Sequence, residues 1–424
     1  VRGVVAHEVA QVERVPKRLV PLVGLGLAGQ LDQGFAFARF HLGIGIGRAA
    51  AQHALAAVRP EAYSGSRNHL NGAVTQLSPY FTHGLLSQRE AFDFLHHRAP
   101  LHPQHKLVYE FGWRAYFRHV WAHHGEGIFA SLHAGPLPDA AYQRELPADV
   151  REARTGVPVI DQSVRMLYAT GHLHNHARMW LASYLVHVRK VFWRVGADWL
   201  YGHLLDGDLA SNHLSWQWVA GTGSHKPYLF NAENVARFAP PDWHSPGSVI
   251  DTSYEALDTL ARSPKAIAPS PQRPSSGGVT EPPLLATPPE AGPAPDMDLA
   301  GRHVWLQHPW ALGPRPAEVP PDAIVLGLVL RDFHRRHPWS ERRWQFVLQA
   351  WRSAGTRCWC VDAADLRPAL AGAASVWLHD EPHLHPWRHV LPQQTRWWRT
   401  PPLFADVPAH QRSFSRWWQH TRLV

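Results

Sequence analysis

The chain has 424 residues, enough for more than one domain, each with its own core. Its 42 basic and 34 acidic residues leave a charge of +8, which leans toward a polyanionic partner such as DNA. Cys358 and Cys360, one residue apart, exclude a four-cysteine metal cluster and an ordinary long-range disulfide, and they fit a reducing, cytoplasmic setting.

No stretch has the length and purity of a membrane span, so we expect no membrane association and no signal peptide. Residues 1–60 read as a poorly defined N-terminal extension. Gly24-Leu25-Gly26-Leu27-Ala28-Gly29 matches the dinucleotide pattern GxGxxG. No strand–turn–helix pattern surrounds it and no ribose-binding acid follows about twenty residues later, so an NAD-dependent oxidoreductase is discounted. Residues 61–250 read as a helical domain. Apolar residues at three- and four-residue spacing predict helices over 81–95 and 106–123. Pro158 suits a first helical turn, with Thr155 as a cap, and Gly171 suits a helix end. Residues 174–194 read as one long buried helix that ends near Gly196. Residues 251–298 form a Pro-rich linker. Residues 299–424 form a small α/β domain of unknown role, with strands at 303–307, 323–330, 357–361 and 375–378 and a helix at 340–354.

Several polar constellations stand out within the helical part. Tyr63 and Arg67 precede Val74-Thr75-Gln76-Leu77-Ser78-Pro79, where hydroxyls at a helix start suit phosphate. Glu110, Trp113, Arg114 and Arg118 fall within one helical run, and Glu110 and Trp113 share a face. His174-Asn175-His176 leads to Arg178 and Met179. Asp206-Gly207-Asp208 precedes Asn212, Trp216 and Trp218. An acid, an amide, a guanidinium and several indoles gathered this way can line a pocket for a flat ring with polar edges. Each motif taken singly is also an ordinary cap, loop or ion pair, and most of the 20 Trp read as core filling. His379, Asp380, Glu381, His383 and His385 read as a solvated polar loop rather than a metal site.

In their order along the chain, these motifs over residues 63–241 resemble the FAD-binding domain of the photolyase/cryptochrome family. The resemblance implies a mainly α fold and FAD held by Tyr63, Val74, Thr75, Gln76, Leu77, Ser78, Arg114, Asn175, Arg178, Asp206, Gly207, Asp208 and Asn212. Val74 replaces a family threonine. It also implies a lesion pocket of Glu110, Trp113, Asn175, Met179 and Trp218, and DNA contacts from Arg67, Glu110, Trp113, Arg118, His176 and Trp218. Trp216 and Trp193 match the inner members of an electron-transfer chain, and Tyr142 is the nearest aromatic to its outer end. Family enzymes that repair (6-4) photoproducts carry histidine at the positions of Asn175 and Met179, so the resemblance implies the cyclobutane-dimer type. The expectation is light-driven DNA repair by a monomer, with no antenna chromophore and no metal. The alternative is a photoreceptor that acts through a protein partner, or a flavin-binding protein that repairs nothing. Family members carry an α/β domain ahead of the helical one. Here residues 299–424 read as that domain relocated or degenerate.

Overall fold

The structure, a computed structural model, describes residues 44–268, 277–289, 291–292 and 298–424. The GxGxxG run and most of the expected N-terminal extension lie outside them. The described residues form one compact unit.

The helical part comprises α1 (Arg48–Ala56), α2 (Pro60–Ser66), α3 (Ser78–Thr82), α4 (Gln88–Arg98), α5 (Lys106–His124), α6 (Ala148–Arg151), α7 (Pro158–Thr170), α8 (Asn175–Ser183), α9 (Trp193–His203), α10 (Leu209–Ala220), α11 (Ala232–Phe238) and α12 (Tyr254–Ala261). The C-terminal part comprises β1 (Leu284–Leu285), β2 (His303–Gln307), β3 (Ile324–Leu330), α13 (Arg331–Arg336), β4 (Trp339–Ser340), α14 (Glu341–Ser353), β5 (Arg357–Val361), α15 (Ala363–Leu370), β6 (Ser375–His379), β7 (Thr395–Trp398) and α16 (Phe414–His420).

Local chemistry explains the boundaries that position the site. Pro158 opens α7 with φ already fixed, and Gly171 closes it in the left-handed conformation. Val157, not Thr155, is the N-cap residue of α7, while the Thr155 hydroxyl accepts from the Val157 N–H. Asp208 caps α10 by accepting from the Ser211 N–H at 2.9 Å. The helix expected over 81–95 is two, α3 and α4, separated by Gly84 in left-handed conformation and by Ser87, which caps α4.

The long helix expected over 174–194 is also broken. After α8 the backbone widens into a π-type turn, Tyr184–Val188, and Lys190 adopts φ 53°. The Lys190 ammonium donates to the carbonyls of His187, Leu260 and Ala261, which holds that conformation. Gln143 bridges the backbone beyond it, accepting from the Phe192 N–H. Gly196 therefore sits inside α9 rather than ending a helix. Its missing side chain admits the Trp216 ring, since a Cβ there would lie 2.4 Å from it.

Strands β2, β3, β5, β6 and β7 form one parallel sheet in the order β5-β3-β2-β6-β7. Four of them fall on the strands expected from sequence, and β7 lies outside those expectations. Strand β1 pairs with β4 in a separate two-stranded sheet, so part of the Pro-rich stretch is woven into the fold. One apolar core joins α4 and α5 residues such as Leu95, Val108 and Phe111 to Val304, Leu306, Trp344 and Val347 of the C-terminal part. A second core, with Trp180, Leu181, Leu185 and Trp193, holds α7 to α10 together. Polar clamps reinforce the shared core. The buried His83 ring lies 2.8 Å from the Leu205 carbonyl and 2.6 Å from that of Pro309. Helix α16 stacks on α5, with Phe414 4.1 Å from Trp113 and Trp418 4.4 Å from Tyr109.

Candidate functional site

Helices α5, α8 and α10 and the turn before α3 enclose a cleft of about 310 Å³. It is lined by Tyr63, Arg67, Val74, Thr75, Gln76, Ser78, Glu110, Trp113, Arg114, Asn175, Arg178, Met179, Asp206, Gly207, Asp208, Asn212 and Trp216. Residues expected from motifs scattered over 154 positions thus meet in one place.

The floor is an ion-pair network. Arg178 Nη2 donates to both Asp206 oxygens at 2.9 and 2.8 Å, and the Ser78 hydroxyl adds a bond of 2.6 Å. Burial pushes the Asp206 carboxyl up, but Arg178, His172 and the hydrogen bonds outweigh it and hold it at about 2. Burial acts on Asp208 in the same way. Arg114 and Arg118, at 3.5 and 3.0 Å, outweigh it and keep that carboxyl ionised far below the usual range.

The folded Asp206 pKa lies below the unfolded one, so its stabilisation is present above about pH 4 and is lost as the pH falls through 2. A gap of nearly two units is worth about 2 kcal/mol. Urea melts of wild type and Asp206→Asn should show this acid-dependent loss only in the wild type. Equal slopes in the two proteins between pH 4 and 2 would contradict the assignment.

At the mouth, the Arg67 guanidinium bonds the Glu110 carboxylate at 2.6 Å. Burial pushes the Glu110 carboxyl above its usual range, while Arg67 and Lys106 pull it back. Asn175 Nδ2 lies 3.5 Å from the Met179 sulfur, one helical turn away. Asn212 Nδ2 donates to the Ala197 carbonyl at 2.8 Å. Its amide is thereby fixed, and its oxygen is the acceptor left for the cleft. Gln76 holds φ 54° in the Val74–Ser78 turn, a conformation that costs a residue with a side chain.

Some expected residues lie elsewhere. Leu77 is fully buried in the core below the turn. Arg118, one turn beyond Arg114 on α5, bridges the buried carboxylates of Asp208 and Glu381, so its charge is neutralised there rather than presented to DNA. The His176 ring lies 2.6 Å from the Asn68 carbonyl and stacks on Phe238 and Trp180. It ties α2's end to α8 instead of facing outward. Trp218 is 40% exposed and packs on Tyr228, off the cleft lining, because two residues beyond Trp216 a helix presents a different face. Trp193 is buried in the same apolar core as Trp216, its indole donating to the Ser131 hydroxyl. Tyr142 is half-buried beside Gln143, which pairs with the segment leading into Trp193.

The cleft also contains residues that the motifs did not announce: Phe117, His172, Ser211, Ser215, Leu200 and Leu204. Ser211 and Ser215 are one turn apart on α10 and flank Asn212, a spacing that was readable. Leu200 and Leu204 look like any core residue in sequence. The acidic–histidine loop is not uniformly solvated, contrary to expectation. Glu381 and His383 are buried and bonded to each other at 2.7 Å, and His383 stacks on Trp310. A second, larger cavity of about 660 Å³ lies near the carboxyl ends of β2, β6 and β7. Trp310, His379 and Trp398 line it, and Arg118 faces it from α5.

The family described as the FAD binding domain of DNA photolyase matches residues 107–244. A chloroplastic/mitochondrial cryptochrome DASH of Oryza sativa subsp. japonica is 32% identical over 192 residues, which cover 42% of this chain and 32% of that protein. A deoxyribodipyrimidine photo-lyase of Escherichia coli (strain K12) is 34% identical over 160 residues, covering 34% of each. Among solved structures, a Synechocystis sp. PCC6803 cryptochrome shares 27% identity over 45% of this chain and 43% of that chain, with a TM-score of 0.42. The matched part of the chain spans about a third of the length of these curated relatives. Residues 107–244, which carry most of the cleft's charged floor and its two lining tryptophans, Trp113 and Trp216, match the FAD-binding domain of DNA photolyase.

Proposed function

We propose that the cleft holds FAD and that the chain uses it for light-driven repair of cyclobutane pyrimidine dimers in DNA. The observation that carries this reading is the meeting of Glu110, Trp113, Asn175 and Met179 with Thr75, Ser78, Arg178 and Asn212 in one cleft. The donor set fits the cofactor. Thr75 and Ser78 at the start of α3 and the guanidinium of Arg114 suit a diphosphate, and the fixed Asn212 oxygen suits an N–H at a ring edge. Trp113 and Met179 supply apolar surface beside the half-buried Glu110. When bound, FAD supplies the light-driven electron.

The protein's own residues do the rest. Asp206 and Arg178 neutralise each other and fix the floor. Glu110, with its carboxyl pushed upward, can hold a proton or donate a hydrogen bond to a carbonyl of the lesion. Arg67 steadies Glu110 and places positive charge at the mouth, where a phosphate would approach. Asn175 and Met179 form a neutral wall where a (6-4) enzyme would carry two imidazoles.

The test is anaerobic illumination of the purified, FAD-loaded chain with an oligonucleotide bearing a cyclobutane dimer, followed by product analysis. Dimer repair is expected, with no repair of (6-4) products. Glu110→Ala should lower the repair yield by about tenfold or more, the loss of a hydrogen bond to a charged group. Repair of (6-4) products instead, or full yield in Glu110→Ala, would refute the assignment. The second reading is a photoreceptor or a flavin-binding protein without repair. It is favoured by the placement of Arg118, His176 and Trp218 away from the cleft. Absence of repair together with light-driven flavin reduction would select it.

A further inference from the structure

Arg343 is among the largest fully buried side chains of the described residues, and it belongs to α14 in the C-terminal part. Its guanidinium reaches back to the helical part. Nη1 donates to the Tyr201 carbonyl at 2.9 Å and Nη2 to the Gly207 carbonyl at 2.5 Å. Tyr201 lies in the last turn of α9, where carbonyls lack helical partners and the dipole favours a cation. The planar group also stacks 3.7 Å from the Trp339 ring centre and 4.7 Å from that of Tyr201. Gly207 is shaped to this contact, because a Cβ there would lie 2.5 Å from Nη1.

The charges around the floor do not cancel. Arg178 pairs with Asp206, while Arg114 and Arg118 share Asp208 and Glu381. Arg343 has no carboxylate within ion-pair distance among the described residues. Four guanidiniums thus stand against three carboxylates. Arg343 is the one without an ion pair; Asp206 and Asp208 act on it from beyond that distance, and it is held in a dry layer directly behind Gly207 of the cleft wall. Such a charge is costly to bury and is weakly screened. When two-electron reduction of bound FAD is accompanied by uptake of one proton, the reduced flavin carries one more negative charge than the oxidised form.

We propose that Arg343 is a positioning residue that clamps the Asp206–Asp208 turn and, through its unneutralised charge, favours the reduced form of FAD in the cleft. This rests on the FAD reading above and adds to it a redox role for the C-terminal part.

The experiment is spectroelectrochemical titration of FAD in the full chain, alongside measurement of FAD affinity, for wild type, Arg343→Met and Arg343→Lys. Arg343→Met keeps the apolar stem and removes the charge. At a fixed ambient potential its ratio of reduced to oxidised FAD should fall about tenfold, the scale set by a unit charge beside the site at an effective dielectric of about 20. For a two-electron couple that is a shift of about 30 mV. Arg343→Lys keeps the charge and loses the two-pronged clamp. It should bind FAD several-fold more weakly yet titrate within about twofold of wild type. A wild-type titration curve in a folded, FAD-bound Arg343→Met overturns the proposal. Should the Met variant not fold, a tenfold drop in the Lys variant overturns it and a near-wild-type curve supports it. If wild type takes up no FAD, the cofactor reading falls and this inference with it. If wild type binds FAD and charge removal changes nothing, only this inference falls.

Discussion

Arg178→Met is expected to cost about 3–5 kcal/mol of stability at neutral pH, the usual result of stripping one partner from a buried ion pair, and to abolish FAD retention. Asp206 is 7% exposed and its carboxylate depends on two contacts from Arg178 and one from Ser78. With the guanidinium gone, burial dominates and Asp206 is driven toward its protonated form. The penalty should therefore shrink as the medium is acidified, because protonation relieves the stranded charge. The double variant Arg178→Met/Asp206→Asn should recover much of the loss, since two neutral side chains leave no buried charge. Denaturant melts at pH 7 and pH 3 measure all three quantities. A loss below about 1 kcal/mol, the range of an exposed pair, would mean that the floor is solvated. A double variant no better than the single one would mean that Arg178 acts through packing.

Much of the cleft was legible because its chemistry is local in sequence. The Asp206-Gly207-Asp208 turn combines a helix cap with an ion-pair partner, and Glu110 and Trp113 share a helical face by spacing alone. The strands at 303–307 and 357–361 were likewise visible as short β-branched and aromatic runs. What could not be read was set by contacts between distant segments. Residues 174–194 are apolar almost throughout, which favours a single helix. The break comes from Lys190 finding three carbonyls, two of them about seventy residues away. Arg118 has the spacing of a surface arginine on α5, and only the arrival of Glu381 makes it an internal bridge. His176 sits beside two matching motif residues, yet the Asn68 carbonyl and two aromatic rings fix its direction. Nothing in the local pattern of α14 distinguishes Arg343 from Arg342 one position earlier. The difference arises from the carbonyls of Tyr201 and Gly207, far upstream in the chain.

Trp216→Phe is expected to slow light-driven flavin reduction by about tenfold or more, the effect of a barrier raised by about 1.4 kcal/mol. Trp216 lines the cleft, and its ring lies against Gly196 on α9. Trp193 is three residues earlier on that helix, hence on the same side, and is buried with its indole N–H bonded to Ser131. On the proposed route an electron would pass from Trp193 to Trp216 between two rings buried in one apolar core. The next step outward is less favourable. Tyr142 is the aromatic beside the segment that leads into Trp193, and burial, then Asp139, push its phenol up to about 12. A phenol that resists deprotonation is slow to give up an electron, because losing its proton accompanies the oxidation. Tyr142→Phe should therefore have a smaller effect than Trp216→Phe, and raising the pH should speed the Tyr142-dependent step. Transient absorption with an external reductant distinguishes the cases. A tyrosyl signal that disappears in Tyr142→Phe supports the route through Trp193. Normal reduction in Trp216→Phe would place the electron's entry on another face of the cleft, with Trp113 the remaining indole in its lining.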